Sequence, residues 1–284
     1  MDAPGTVGEV LQHARQALGA VSQTPGLDAQ LLLADCLRTT RSWILAHPEA
    51  LVNGDGGRAF QEALQRCLSG EALPHVLGWW EFYGRRFQLS RQVLIPRPET
   101  ELLVEEGLAY LRANPSRRLA LDVGTGSGCI GVTLAAETAD LRVFATDRGT
   151  APLRAARGNA ARHGVAARVT FVQADLAAPL AGPFDLIAAN LPYVPEETLD
   201  ELDVARREPR LALDGGPGGL GLLRRMIDSL PHVLAVGGRA LLEIGAGQGS
   251  AVVGLAHAAL PTAQVSLRSD LAGFDRLLVV ERRP

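Results

Sequence analysis

Between residues 5 and 70, apolar side chains recur at three- and four-residue intervals with short polar breaks. The pattern predicts helices over residues 7–18, 27–37, 42–46 and 59–68. Pro25-Gly26, Pro48 and the run from Gly54 to Gly57 punctuate them as turns of a small bundle. Residues 1–72 therefore read as a helical domain with no catalytic spacing, in which His13 and His47 are surface or capping residues. The pattern changes at Trp79-Trp80-Glu81-Phe82-Tyr83-Gly84-Arg85-Arg86-Phe87, where aromatics flank a glycine turn; residues 73–95 read as a β-hairpin linker. Next comes Pro96-Arg97-Pro98-Glu99-Thr100-Glu101, whose acids and threonine suit the start of a helix running to about Leu111. Capping accounts for Glu99, Thr100 and Glu101 but not for the two prolines, which read as a rigid loop laid over a pocket.

From residue 119 onward, apolar runs of strand length alternate with helical patterns, as expected of a parallel sheet covered by helices. Strands are predicted at 119–123, 141–146, 168–173, 184–189 and 239–244, with closing strands at 265–268 and 276–281. Helices are predicted at 151–163, 222–234 and 251–259. Residues 96–284 thus form an α/β catalytic domain.

The first of these strands runs into Asp122-Val123-Gly124-Thr125-Gly126-Ser127-Gly128-Cys129, a glycine-rich turn that lets a ligand lie against backbone N–H groups at a helix start. A dinucleotide fingerprint would place its third glycine at Cys129, so the match to NAD is imperfect. An acid just before the glycines would repel a pyrophosphate and suits a cationic ligand with an ammonium and a sulfonium, which favours S-adenosylmethionine. The next strand ends at Asp147, about twenty residues past the loop, where a carboxylate can accept both ribose hydroxyls. The third ends near Asp175, within reach of an adenine amino group. The fourth ends in Asn190-Leu191-Pro192-Tyr193, on the sheet edge where open parallel sheets bind ligands. The Asn190 amide oxygen and the Leu191 carbonyl offer two acceptors, Pro192 restricts the backbone, and Tyr193 adds an aromatic face, together a holder for a planar amino group.

The 284 residues suffice for two unequal domains. A net charge of −3 gives no field for nucleic-acid phosphates, so direct nucleic-acid binding is not expected. All 28 basic residues are arginine, which adds no chemistry. Cys36, Cys67 and Cys129 are odd in number and lack metal spacing, as for buried thiols in a reducing cytosol, and no metal site is expected. No secretory signal and no apolar run of about 20 residues is present, so a cytoplasmic protein with no membrane contact is expected.

Asn190-Leu191-Pro192-Tyr193 resembles, with one change, the Asn/Asp-Pro-Pro-Tyr motif of class I S-adenosylmethionine methyltransferases that modify amide or amine nitrogen. The motifs Pro96 to Glu101, Asp122 to Ile130, Glu208-Pro209-Arg210-Leu211-Ala212-Leu213-Asp214-Gly215-Gly216, and Glu243-Ile244-Gly245 with Gln248-Gly249 extend the likeness. In that order, after a helical domain, they resemble the bacterial release factor glutamine methyltransferases, the PrmC or HemK family. The resemblance implies a Rossmann-like seven-stranded sheet and methylation, by S-adenosylmethionine, of the glutamine side-chain nitrogen (N5) in the Gly-Gly-Gln motif of class I peptide chain release factors. It assigns the cofactor to Gly124, Thr125, Gly126, Ser127, Gly128, Asp147, Asp175, Leu176 and Asn190, and the glutamine to Asn190, Leu191, Pro192 and Tyr193. Asn190, Pro192 and Tyr193 become the catalytic set, and a monomer is implied. Leu191 and Leu176 depart from the family pattern; the role at 191 belongs to a backbone carbonyl, which leucine also supplies. A DNA adenine methyltransferase would share the tetrapeptide, but the acidic balance and the absence of a target-recognition region speak against it.

Overall fold

The structure, a computed structural model, describes residues 5–178 and 180–283, so residues 1–4 of the expected helical segment lie outside it. The chain divides into two compact units, the first ending at Trp79 and the second beginning at Trp80.

The first unit contains β1 (Gly5–Thr6), α1 (Val7–Leu18), α2 (Pro25–Cys36), α3 (Arg41–Ala46), β2 (Leu51–Val52), α4 (Gly54–Leu68) and α5 (Leu73–Leu77). A capping box starts α1: Glu9 N–H donates to Thr6 Oγ1 at 3.3 Å, and Thr6 N–H donates to Glu9 Oε2 at 2.8 Å. Val7, Leu18, Leu32, Leu33, Ile44, Phe60 and Leu64 form the unit's core. Helix α4 begins at Gly54 rather than Ala59, because the glycines read as a turn are its first turn. A Cβ at Gly56 would lie 2.7 Å from Leu37 Cδ2, a side-chain end that can turn aside. Residues 73–77, expected in the linker, are helical. His47 follows α3 as its C-cap and meets the Trp43 carbonyl at 2.9 Å.

Strands β3 (Trp79–Phe82) and β4 (Arg85–Gln88) form the predicted hairpin, with positive φ at both Tyr83 and Gly84. Then follow α6 (Glu101–Ala113), β5 (Leu119–Val123), α7 (Cys129–Glu137), β6 (Arg142–Asp147), α8 (Thr150–Arg162), β7 (Val169–Gln173) and β8 (Phe184–Ala189). The chain ends with α9 (Glu196–Leu199), α10 (Asp203–Arg207), α11 (Gly221–Val233), β9 (Leu234–Glu243), α12 (Gly249–Ala259), β10 (Gln264–Ser269) and β11 (Asp275–Glu281).

Seven strands form one sheet in the order β10-β11-β9-β8-β5-β6-β7, in which β11 alone runs antiparallel to the others. The central strands β5, β8 and β9 are largely buried on both faces, as cover by helices requires. Leu186 and Leu241 pack with α6 and α7 residues such as Leu108, Leu111 and Leu134, while their neighbours Ile187 and Leu242 pack with Leu223, Ile227 and Val252 of α11 and α12. Strand β9 begins at Leu234 rather than at Arg239. The glycine pair Gly237-Gly238, which interrupts the apolar pattern, is absorbed where the pairing with β8 shifts from Phe184↔Leu234 to Leu186↔Arg239.

The chain runs outward from β5 through β6 and β7, then returns to β5's other flank as β8. The order reverses between β5 and β8, and ligands in open parallel sheets bind beyond the carboxyl ends of the strands at such a switch point.

Candidate active site

A cavity of about 1080 Å³ opens there. Gly124 and Gly126 from the turn after β5, Asp147 at the end of β6, Asp175 and Leu176 after β7, and Asn190, Leu191 and Pro192 after β8 all line it. Leu94, Leu211 and Leu222 add apolar wall. The two strand ends are in contact: a Cβ on Gly124 would lie 3.1 Å from Leu191 Cδ2 and 3.8 Å from the Asn190 carbonyl oxygen.

On the β5/β6 side, carboxylates hold the backbone. Asp147 accepts the Gly126 N–H through Oδ2 at 3.1 Å and the Gly149 N–H through Oδ1 at 2.8 Å. Both oxygens are fixed and keep lone pairs for a ligand; burial raises this carboxyl above its ordinary value, and the backbone bonds oppose that. Asp122 is not the cavity-facing acid that its sequence position suggested. It is 1 % exposed and lies beneath the turn, where Oδ2 accepts Thr125 Oγ1 at 2.6 Å and the Gly131 N–H at 3.0 Å. Burial pushes it up to about 6 against those two hydrogen bonds. Thr125 and Ser127 are buried, and neither they nor Gly128 line the cavity. Buried Asn159 clamps this turn: its Nδ2 donates to the Ser127 carbonyl at 2.9 Å and the Gln88 carbonyl at 3.0 Å, and its Oδ1 accepts the Gln88 N–H at 2.8 Å.

After β7, Leu176 takes a left-handed backbone (φ 53°) and contributes an apolar side chain to the wall. Arg225 pairs with Asp175 Oδ2 at 2.7 Å and holds its carboxyl below the usual range, so Asp175 meets the cavity as half of an ion pair.

On the β8/β9 side, side chains do the holding. Asn190 Nδ2 donates to Thr100 Oγ1 at 2.9 Å, and Thr100 Oγ1 donates to Glu243 Oε2 at 2.6 Å. Tyr193 does not line the cavity. Its hydroxyl donates to Glu243 Oε1 at 3.4 Å, and its ring packs on the core beneath α11 and α12. Burial and the Glu243 charge push Tyr193 up to about 12; burial pushes Glu243 up to about 7 despite Thr100, Arg276 and Tyr193. Thr100 makes no side-chain cap to α6, so the capping reading fails for it. The Pro96-Arg97-Pro98 loop is held from its flank: Glu208 accepts the Ile95 N–H at 2.9 Å and bonds Arg97. The cavity is lined by the preceding Arg91 to Leu94 instead. The sequence assigns Thr100 only a capping role and assigns Glu243, Asn159 and Glu208 none. Thr100, Glu208 and Glu243 stand within the motifs that carry the resemblance, whereas Asn159 lies inside α8 with no local mark.

Among the described residues, no group of His, Cys, Asp or Glu could hold a metal ion, and no helix is long and apolar enough to cross a membrane. The three cysteines are free.

The doubly wound sheet, the acid-and-glycine turn and the Asn-Leu-Pro-Tyr corner define a class I methyltransferase. Residues 99–207 match the methyltransferase small domain and residues 9–78 the PrmC N-terminal domain. The chain belongs to the release factor glutamine methyltransferase family. It is 40% identical to the release factor glutamine methyltransferase of Nitratidesulfovibrio vulgaris, over 98% of this chain and 95% of that protein. It is 41% identical to that of Moorella thermoacetica, over 98% and 97% respectively. Among solved structures, the N-terminal domain of human METTL16 in complex with SAH shares the fold, with a TM-score of 0.51, 18% identity, and coverage of 78% of this chain and 84% of that one.

Proposed function

We propose that the protein transfers a methyl group from S-adenosylmethionine to the side-chain amide nitrogen of the glutamine in the Gly-Gly-Gln motif of class I peptide chain release factors, acting as a monomer in the cytoplasm. The observation that carries this reading is the Asn190 amide at the switch point. With Nδ2 committed to Thr100, Oδ1 is the end available to a planar NH2 group in the cavity. The family membership and the named relatives support the acceptor and the reaction.

The residues present fit the cofactor. Glycines keep the Gly124 and Gly126 backbone open to it, Asp147 presents two fixed acceptors for ribose hydroxyls, and Leu176 offers apolar contact for a base. When bound, S-adenosylmethionine supplies a methyl already activated by its sulfonium. What remains for the protein is alignment and charge. An amide nitrogen is a weak nucleophile because its lone pair is delocalised into the carbonyl. Asn190 Oδ1 and the Leu191 carbonyl, accepting its two hydrogens, favour positive charge on that nitrogen as it is attacked and fix its direction. No strong base has to act first, and a proton leaves to water afterwards. Tyr193, facing Glu243, acts on the loop from below rather than on the glutamine.

The helical unit, about residues 1–72, supplies recognition of the folded release factor, because one glutamine on a loop has too little surface to select a protein. Mass spectrometry of a purified release factor after incubation with the enzyme and S-adenosylmethionine tests the reading. One methyl group on the Gly-Gly-Gln glutamine supports it, and methylation elsewhere or none refutes it.

A further inference from the structure

We propose that Thr100 and Glu243 are positioning residues that together fix which end of the Asn190 amide faces the cavity. The proposal rests on the methyl-transfer reading and concerns the arrangement of this chain's own hydrogens.

A threonine hydroxyl carries a single hydrogen. Thr100 is 1 % exposed and touches two polar groups: Glu243 Oε2 at 2.6 Å and the Asn190 amide at 2.9 Å. A carboxylate at Glu243 accepts only, so Thr100 gives it the hydrogen and offers a lone pair to Asn190. Only the NH2 end of that amide can use a lone pair, and Oδ1 is left as the end free to accept. A protonated Glu243 permits the opposite chain: it donates to Thr100, Thr100 donates to Oδ1, and the amide turns over. An NH2 group would then face the NH2 of the glutamine, donor against donor.

The groups around Glu243 come from four elements. Thr100 and Glu99 precede α6, Tyr193 follows β8, Arg276 lies on β11, and the neutral thiol of Cys129 begins α7. Arg276, Thr100 and Tyr193 favour the carboxylate, whereas burial and the Glu99 charge oppose it and leave the group titrating near 7. The productive orientation is therefore present above that value and lost as pH falls through it.

Three variants with urea-melt controls test this. Thr100→Val keeps the shape and removes the hydroxyl. Its kcat should fall about 10- to 100-fold, the scale of a misaligned reacting group. The release factor KM and the S-adenosylmethionine Kd by calorimetry should change less than about twofold, because those contacts are untouched. Thr100→Ser should recover most of the loss. In the wild type, kcat should drop as pH falls through about 7, and Glu243→Gln, which cannot titrate, should lose that acid limb. In the protein without substrate, the Asn190 NH2 protons should exchange with solvent faster in Thr100→Val, a reading that needs no activity.

Wild-type kcat in a folded Thr100→Val protein overturns the proposal, as does an acid limb that survives in Glu243→Gln. If Thr100→Val does not fold, the Glu243→Gln profile decides. Absence of release factor methylation by the wild type would sink the functional reading instead, and the Asn190 exchange rates would still judge the orientation.

Discussion

The two strand ends that meet at the switch point are built by opposite means. On the β5/β6 side, carboxylates grip backbone N–H groups, Asp122 at Gly131, 9 positions away, and Asp147 at Gly126 and Gly149, 21 and 2 positions away. On the β8/β9 side, the bonds run from side chain to side chain and join distant segments: Asn190 with Thr100, 90 positions away, and Thr100 with Glu243, 143 positions away. The first half depends on what conformation the backbone can adopt; the second depends on where the protons sit. A ligand that must only be held needs the first kind, whereas an amide whose donor and acceptor ends must not be exchanged needs the second.

The most damaging way to break the contrast is on the side-chain half. Asn190→Ala removes the acceptor but leaves the cofactor turn intact, so kcat should fall on the order of 10²–10³-fold, the loss seen when one preorganised partner is removed. Steady-state methylation of a release factor checks this, and near-normal kcat would return the tetrapeptide to an ordinary turn.

The backbone half also has a buried acid, and its effect should appear in stability rather than turnover. Asp122 titrates near 6 in the folded chain against an ordinary 3.8. A raised carboxyl favours the folded state fully below the unfolded value, and that contribution is lost as pH rises through the folded one. At about 1.4 kcal/mol per pKa unit, ~3 kcal/mol of stability should disappear between about pH 4 and pH 6. Glu243 titrates in an overlapping window, so the measurement is the difference between wild type and Asp122→Asn in urea unfolding across that range. The variant should lack the Asp122 part of the slope, and identical slopes would mean that Asp122 does not titrate there.

This contrast also explains what could be read in the sequence. Backbone devices leave a local trace: the glycines after β5, the acid ending β6 at Asp147 and the period of α1 are visible within a dozen residues, and those elements lie at or within a residue of the predicted places. The relay leaves none. Thr100 beside two glutamates has the composition of a helix cap, and only the fold shows its hydroxyl turned to Glu243 instead. Asp122 misled for the same reason: its place in the sequence is that of a ligand-facing acid, and burial beneath the turn depends on packing against α7. The position of Tyr193 likewise follows from Glu243, on a strand formed 50 residues later.

A sharper probe of the cofactor side is Asp147→Ala. The carboxylate faces the cavity with both oxygens braced, so its loss should weaken S-adenosylmethionine binding by roughly 1–3 kcal/mol, the cost of buried hydrogen bonds left unmade. Calorimetry measures it, and unchanged affinity would remove Asp147 from the cofactor site.

The smallest effect tests whether that half is a matter of backbone at all. Gly126 has φ +57°, and a Cβ there would find nothing nearer than the Gly124 carbonyl oxygen at 3.9 Å and Val93 Cγ1 at 4.0 Å. Gly126→Ala therefore meets no wall, and its penalty is the left-handed backbone alone, about 1 kcal/mol of stability. Asp147 would still accept the residue 126 N–H, so the turn should persist with that strain; the added methyl faces the space assigned to the cofactor, so S-adenosylmethionine affinity should weaken while kcat at saturation falls far less than in Asn190→Ala. Urea unfolding of Gly126→Ala beside wild type reads the strain directly. A loss well above 1 kcal/mol would mean that the position is limited by a side-chain contact, and the distinction between a backbone-built half and a side-chain-built half would no longer hold at this turn.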